Sequence, residues 1–195
     1  SVVSLLRRNE CEHLALYTTV AEQLYKLDPS AEAAYSLATM FMKRQDWDKA
    51  DTYLQEAISK AEDETAKGDY CMRQAQLKLA KKQYAEAKRA ALAAIQCNAQ
   101  NGAAYILIGK AYAAYANNYG EDAFDHASVF WAAVDKFNKA KQVDPSVAEE
   151  ANKLITSYTP HFPSKDEAFF RSVTEGADVK IGDWINETTK ARFSK

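Results

Sequence analysis

The sequence predicts an all-α protein built from stacked antiparallel helix hairpins. Small and large apolar residues recur at helical spacing along most of the chain. Glycine and proline, the residues least compatible with helix interiors, number only six and four among 195 residues. Apolar residues make up 47% of the chain, so a chain of this length can bury a sizeable core.

The clearest unit runs from residue 31 to residue 61 and reads as two helices joined by a turn at 45–47. Its apolar residues are three or four positions apart, which places them on one face of each helix. These residues are Leu37, Ala38 and Phe41 in the first helix and Ala50, Leu54 and Ala57 in the second. Small residues at a helix contact let two antiparallel helices approach closely.

The same pattern returns further along the chain. Its later members are Ala87, Ala94, Ile108, Gly109, Tyr112, Ala133, Phe137 and Ala140, followed by Pro145. The pattern resembles the tetratricopeptide repeat, W-x2-L-G-x2-Y and then A-x3-F-x2-A with a closing proline, whose period is about 34 residues. That resemblance implies a right-handed superhelix. The steps here are longer, so extra residues lie near 62–65 and about a dozen are inserted between Ala114 and Phe130.

The repeat spacing predicts two regions. Residues 1–158 form the helical array, with a leading helix at 4–28, hairpins at 31–61, 66–98 and 102–143, and a capping helix at 146–158. Residues 159–195 form an extension that packs on the array. The leading helix resembles the closing helix of an earlier unit, which predicts that the chain starts inside a longer array. In the second hairpin Gln74 stands where the repeat expects leucine.

The extension contains signals of a short helix and of strands. Ser164 and Glu167 have the spacing of a capping box at the start of a helix at 165–171. Residues 178–193 are rich in β-formers, with a possible turn at Gly182-Asp183, which predicts a short hairpin or an extended tail. Because Phe169, Phe170, Trp184 and Ile185 are apolar, we expect them to pack against the helices.

The segment from Phe130 to Arg192 also resembles the carboxyl-terminal region of repeat proteins common in Bacteroidetes. The resemblance rests on FWAAVDKFNKAKQVDPS, HFPSKDEAFF and GDWINETTKAR. It implies an envelope-associated repeat protein, in the periplasm or at the inner face of the outer membrane, with no catalytic residues. A cytoplasmic location stays open.

The predicted function is non-catalytic binding of a protein or peptide in the concave groove. In tetratricopeptide superhelices the first helix of each hairpin lines this surface. The positions are Tyr35, Thr39, Met42, Met72, Arg73, Gln76, Leu79, Ile106, Leu107 and Lys110. They are mostly apolar, and the lysine and asparagine ring that clamps a peptide carboxylate in chaperone-binding relatives is missing. An apolar groove suits an amphipathic helix or extended peptide; the alternative is that the chain's own tail covers it.

A second hypothesis is sugar binding by the insertion in the third hairpin. Aromatic and amide side chains are crowded there, including Tyr115, Asn118, Tyr119 and Trp131. Aromatic rings can stack on sugars while amides bind hydroxyl groups. The alternative is that these aromatics brace an irregular loop.

Other functions find little support in the sequence. A net charge of −2 without a block of lysine and arginine does not favour nucleic acid, and no run of 18 apolar residues is present. Asp122 and His126 lack a second histidine for a metal site, and no nucleophile or phosphate-loop motif occurs. We therefore predict no enzyme activity, cofactor or metal. Cys71 and Cys97 are expected at the same end of one hairpin, as buried thiols or a disulfide.

Overall fold

The computed structural model describes residues 15–194 and shows the predicted all-α array with a small two-stranded sheet in the tail. The part of the predicted leading helix at 4–14, with Cys11 and His13, lies outside the described residues. The described part of the array contains eight helices: α1 (Ala15–Leu27), α2 (Ala31–Lys43), α3 (Trp47–Lys60), α4 (Glu64–Ala80), α5 (Tyr84–Cys97), α6 (Gly102–Tyr115), α7 (Ala123–Val143) and α8 (Ala148–Tyr158). No helix in the described part of the chain is long and apolar enough to cross a membrane.

Side-chain caps define where most hairpin helices begin. The side chain of Ser30 accepts a hydrogen bond from the Ala33 amide at the start of α2, and Asp63 accepts one from Ala66 at the start of α4. Asn101 and Asp122 do the same for α6 and α7. Each cap satisfies an amide that has no partner inside the helix.

The turns inside the first two hairpins repeat each other. Gln45 and Lys82 both adopt a left-handed conformation, with φ of 60° and 58°. In the first turn the Asp46 amide donates to the Phe41 carbonyl, and in the second the Gln83 amide donates to Lys78. This bond closes a helix end and reverses the chain within three residues.

The alanine and glycine positions of the repeat pattern form the hairpin contacts. Ala50, Ala57, Ala87 and Ala94 are fully buried between paired helices. A Cβ atom built on Gly109 would lie 2.5 Å from the Phe137 ring and 2.9 Å from the Ala133 carbonyl oxygen. Helices α6 and α7 can approach this closely only because residue 109 has no side chain.

In the described part of the chain the core consists of two apolar clusters that meet at α4. The N-terminal cluster joins α1–α4 and includes Phe41, Leu54 and Leu77. The C-terminal cluster joins α4–α8 and the tail, with Trp131 and Phe137 fully buried. Helix α4 contributes to both clusters from different faces.

The tail folds as the sequence predicts in its secondary structure. A short helix α9 (Lys165–Phe170) starts at a capping box formed by Ser164 and Glu167, as predicted. Strands β1 (Asp178–Ile181) and β2 (Glu187–Lys190) pair antiparallel, with Ile181 opposite Glu187.

The expectation that all four apolar tail residues pack on the helices is wrong for two of them. Ile185 is fully buried and Trp184 packs on the C-terminal cluster. Phe169 and Phe170, in contrast, are 79% and 85% exposed. Helix α9 spans only six residues, and its buried residue is Ala168. Phe169 and Phe170 are the last two residues of this short helix, and their rings face solvent.

Candidate binding surface

The predicted groove residues lie on α2, α4 and α6, the first helices of the three hairpins. Tyr35 on α2 stacks on Tyr70 of α4, with ring centroids 4.6 Å apart. Met42 packs against the N-terminal cluster and Met72 and Leu79 against the C-terminal cluster, and each keeps part of its surface accessible. The first helices of two neighbouring hairpins therefore carry half-buried apolar side chains at the predicted groove positions.

The polar residues of this face are mostly engaged with neighbours on the chain. The Arg73 guanidinium donates to the Gln76 amide oxygen at 3.1 Å. The Lys110 ammonium forms an ion pair with Glu150 of α8 at 2.8 Å. Thr39 is half-buried, and its enclosed hydroxyl has no hydrogen-bond partner among residues 15–194. Lys110 is thus paired within the chain, whereas Arg73 is hydrogen-bonded to a neutral amide and keeps its positive charge.

Two predicted groove residues, Ile106 and Leu107, do not belong to the surface. Ile106 is only 4% exposed and lies inside the C-terminal cluster, as does its neighbour Leu107 at 5%. The repeat register places residue 106 on the groove side, but the C-terminal cluster, which Met72 and Leu79 of α4 also contact, encloses it. The prediction that Ile106 is available to a partner is wrong.

The tail contacts the second and third hairpins of the array. Its contacts involve α5, α7 and the C-terminal end of α6. The Lys88 ammonium on α5 donates to the Ile185 carbonyl at 2.7 Å. The Trp131 indole on α7 donates to the Arg192 carbonyl, and the Arg192 guanidinium in return donates to the Trp131 carbonyl at 2.8 Å. These contacts fix the hairpin against the second helices of the last two hairpins.

Glu187 is the centre of the polar contacts between tail and array. Its carboxylate lies 2.7 Å from the Lys136 ammonium and 3.7 Å from that of Lys88, and it accepts a hydrogen bond from the Tyr112 hydroxyl at 2.8 Å. Burial opposes ionisation of Glu187, but the hydrogen bond and charge of Lys136, with help from Tyr112 and Lys88, hold its pKa below the ordinary value. Burial, followed by the Glu187 charge, raises the pKa of Tyr112, so this phenol stays protonated as a donor.

The aromatic residues proposed to bind sugar have structural partners instead. Trp131 is fully buried, so the prediction that it belongs to a sugar-binding surface is wrong. The Tyr115 hydroxyl donates to Asp183 at 2.6 Å, and its ring contacts Trp184. The Tyr119 hydroxyl accepts from the Gly182 amide at 2.9 Å. Of the four proposed residues, Asn118 is the one that is exposed.

The insertion therefore braces the turn between β1 and β2. Sequence reasoning found the aromatic crowding but not its partner, because the tail lies more than sixty residues further along the chain. Glu187 was missed for the same reason: a single glutamate in a strand carries no local signal of two lysines on distant helices.

The cysteines and the possible metal ligands complete the set of predicted chemical groups. Cys71 is buried and Cys97 is half-buried, and both are free thiols. Burial is the main cause that raises the pKa of each, which disfavours the reactive thiolate at neutral pH. Within residues 15–194 no group of three or more His, Cys, Asp or Glu side chains is arranged to hold a metal ion.

Comparisons with known proteins support the fold. No family model matches the chain, and no curated protein matches it by sequence. Among solved structures, the chain is similar to the crystal structure of MamA, with a TM-score of 0.58 and 15% sequence identity. The match covers 88% of this chain and 95% of that chain. MamA is a protein of the tetratricopeptide-like type, so the described chain has the architecture of a tetratricopeptide-like helical repeat.

Proposed function

We propose that this protein is a non-catalytic scaffold that binds a protein or peptide partner along the groove face of α2, α4 and α6. The observation that carries the proposal is the row of half-buried apolar side chains on this face, Tyr35, Met42, Met72 and Leu79. The hydrogen bonds described above between the tail and the array involve α5, α7 and the end of α6, and none of them involves a residue of this row. Similarity to the repeat fold of MamA supports a scaffold because such repeats present extended concave surfaces.

The chemistry of the face favours an apolar segment as the partner. Lys110 is paired with Glu150, so an anionic chain end would have to displace this ion pair, whereas Arg73 is bonded to the neutral Gln76 and keeps its charge. An amphipathic helix or an extended peptide with apolar side chains needs no such exchange. Location in a bacterial envelope belongs to the same proposal and rests on the resemblance of residues 130–192 alone.

A matched pair of variants tests the proposal. Met72→Glu places a charge at a predicted groove position, while Leu92→Glu places one on α5, the second helix of the same hairpin, where Leu92 is 40% exposed. Both variants, immobilised beside the native chain, are used to capture proteins from an envelope extract, and captured species are quantified by mass spectrometry. We expect one or more species to be lost with Met72→Glu and retained with Leu92→Glu.

The thermal melting curves of both variants must match that of the native chain for this comparison to count. If the native chain and Met72→Glu capture the same species in the same amounts, the groove is not the binding surface. Turnover of any substrate by the purified chain would contradict the scaffold assignment itself.

A further inference from the structure

A pocket lies where the tail meets the third hairpin of the array. It has a volume of about 380 Å³, and its walls come from α6, α7 and strand β2. Tyr105 and Ala132 supply apolar surface, and the other residues of the lining are charged or carry a hydroxyl group. Pockets of about 300 to 1,000 Å³ are typical of small-molecule sites. The pocket shares no residue with the groove row on which the proposed function rests, so it is a separate candidate site.

The two carboxylates of the lining are already neutralised within the chain. Glu187 lies 2.7 Å from the Lys136 ammonium and 3.7 Å from that of Lys88. Asp135 lies 2.8 Å from the Arg192 guanidinium. The side chains of Lys136 and Lys88 are 20% and 15% exposed, so water and salt screen these charges less than they screen charges on the open surface. Three cations therefore offset two carboxylates before the last charged residue of the lining is counted.

Lys139 is that last charged residue, and no carboxylate pairs with it among residues 15–194. Its ammonium donates to the neutral Gln142 amide oxygen at 3.4 Å. Thr188, also in the lining, has a hydroxyl without a hydrogen-bond partner in the same part of the chain. Within this network two positive charges are therefore in excess, although the whole chain has a net charge of −2. A concave site with an excess of one sign of charge attracts ligands of the opposite sign.

We propose that this pocket binds the phosphoryl group of a small organic phosphate. A phosphate monoester carries about 1.5 to 2 negative charges at pH 7, which matches two uncompensated cations better than a carboxylate does. Lysine binds phosphate as a point charge, and the Thr188 hydroxyl adds a donor for a phosphoryl oxygen. The apolar surface of Tyr105 and Ala132 suits the organic part of the ligand. This site does not depend on a partner in the groove.

Three small anions test the preference for an organic phosphate. Phenyl phosphate is the probe, benzoate keeps the ring but carries a single negative charge, and inorganic phosphate lacks the ring. Each is titrated into the full chain at pH 7 and followed through the backbone amide signals in ¹H–¹⁵N NMR spectra. We expect the largest shifts at residues 132–139 and 187–188. Phenyl phosphate should bind about fivefold more tightly than benzoate, the factor that one further exposed ion pair supplies, and more tightly than inorganic phosphate.

Variants of Lys139 then assign the charge that binds the ligand. Lys139→Glu should weaken binding of phenyl phosphate by about tenfold, because one attraction is lost and one repulsion is added. Lys139→Arg keeps the charge and should keep the affinity. Lys139 is exposed and has no ion pair in the described part of the chain, so the melting curves of both variants should match that of the native chain. Lys60→Glu, on exposed α3 of the first hairpin, makes the same change in net charge and should leave binding unchanged.

Three outcomes would overturn the proposal. The first is the absence of shifts at the pocket, or shifts spread over lysines throughout the array. The second is equal affinity for phenyl phosphate, benzoate and inorganic phosphate. The third is an affinity for phenyl phosphate that Lys139→Glu and Lys60→Glu change to the same extent, because the net charge of the chain would then explain the binding. Failure of the groove proposal appears elsewhere, as unchanged capture by Met72→Glu, so the two failures are distinguishable.

Discussion

At the scale of single residues, the position that departs most from the repeat pattern is explained by a partner on the neighbouring helix. Gln74, which replaces the expected leucine, donates to the Asp51 carboxylate at 3.2 Å. Lys78, one turn later, donates to the same carboxylate at 2.7 Å, and both members of this ion pair are mostly buried. A polar contact between α3 and α4 therefore takes the place of an apolar one.

Because this ion pair is mostly buried, removing one member should be costly. Asp51→Ala leaves the Lys78 ammonium without its carboxylate, and we expect a loss of about 2 to 4 kcal/mol in the free energy of unfolding, measured in urea. Asp48→Ala, which breaks an exposed pair with Lys81, is the control and should have little effect. Asp51→Leu combined with Lys78→Met should restore most of the stability; a double variant as weak as Asp51→Ala would show that the charge itself is not the cause.

Gly109 gives a second residue-scale prediction, based on space. Gly109→Ala would force its Cβ within 2.9 Å of the Ala133 carbonyl oxygen, which is backbone and cannot rotate away. We expect a loss of about 1 to 3 kcal/mol, seen as a lower melting temperature. Gly182→Ala meets only the Tyr119 oxygen at 3.7 Å and serves as the control. Equal stability of the two variants would mean that α6 and α7 are not in the close contact described.

At the scale of elements, the helices and their pairing could be predicted from the sequence, but the placement of the tail could not. Alanines such as Ala50 and Ala87 repeat at spacings set by the helix itself, so their role is visible locally. The strands and the Ser164–Glu167 capping box are also local signals. The surface that the tail covers depends on contacts such as Lys88 with Ile185, 97 residues apart, which no periodicity encodes.

The tail element has a pH dependence that follows from Glu187. Its pKa in the folded state lies below the ordinary 4.5, so its contribution to stability is complete above that value and is lost as pH falls through the folded-state pKa. At pH 7 we expect Glu187→Gln to lower the free energy of unfolding by about 1 to 3 kcal/mol. The difference from the native chain should shrink as pH falls below about 4.5.

Denaturant titrations at several pH values, followed by tryptophan fluorescence, check this dependence. Trp184 lies in the tail and Trp131 donates to the tail backbone, so the signal reports on this element. Glu175→Gln, an exposed tail glutamate, is the matched control. A difference between native chain and Glu187→Gln that stays constant from pH 7 to pH 3 would contradict the assigned role of the ionised carboxylate.

At the scale of the whole molecule, the division of the core predicts unequal local stability. The C-terminal cluster is closed by the tail, whose Ile181 and Ile185 are fully buried in it. Where α3 meets α4, next to the N-terminal cluster, the ion pair of Asp51 with Lys78 lies between the helices. In repeat architectures each unit depends mainly on its neighbours, so loss of packing in one cluster need not reach the other.

Hydrogen–deuterium exchange of two cavity variants tests whether loss of packing in one cluster reaches the other. Leu54→Ala empties a fully buried site in the N-terminal cluster and should cost about 2 to 4 kcal/mol. We expect faster amide exchange in α2 and α3, with little change in α7. Val129→Ala, at a fully buried site of the C-terminal cluster, should act on α6, α7 and the tail. If either variant accelerates exchange equally over all helices, the array unfolds as one cooperative unit and the boundary at α4 has no energetic meaning.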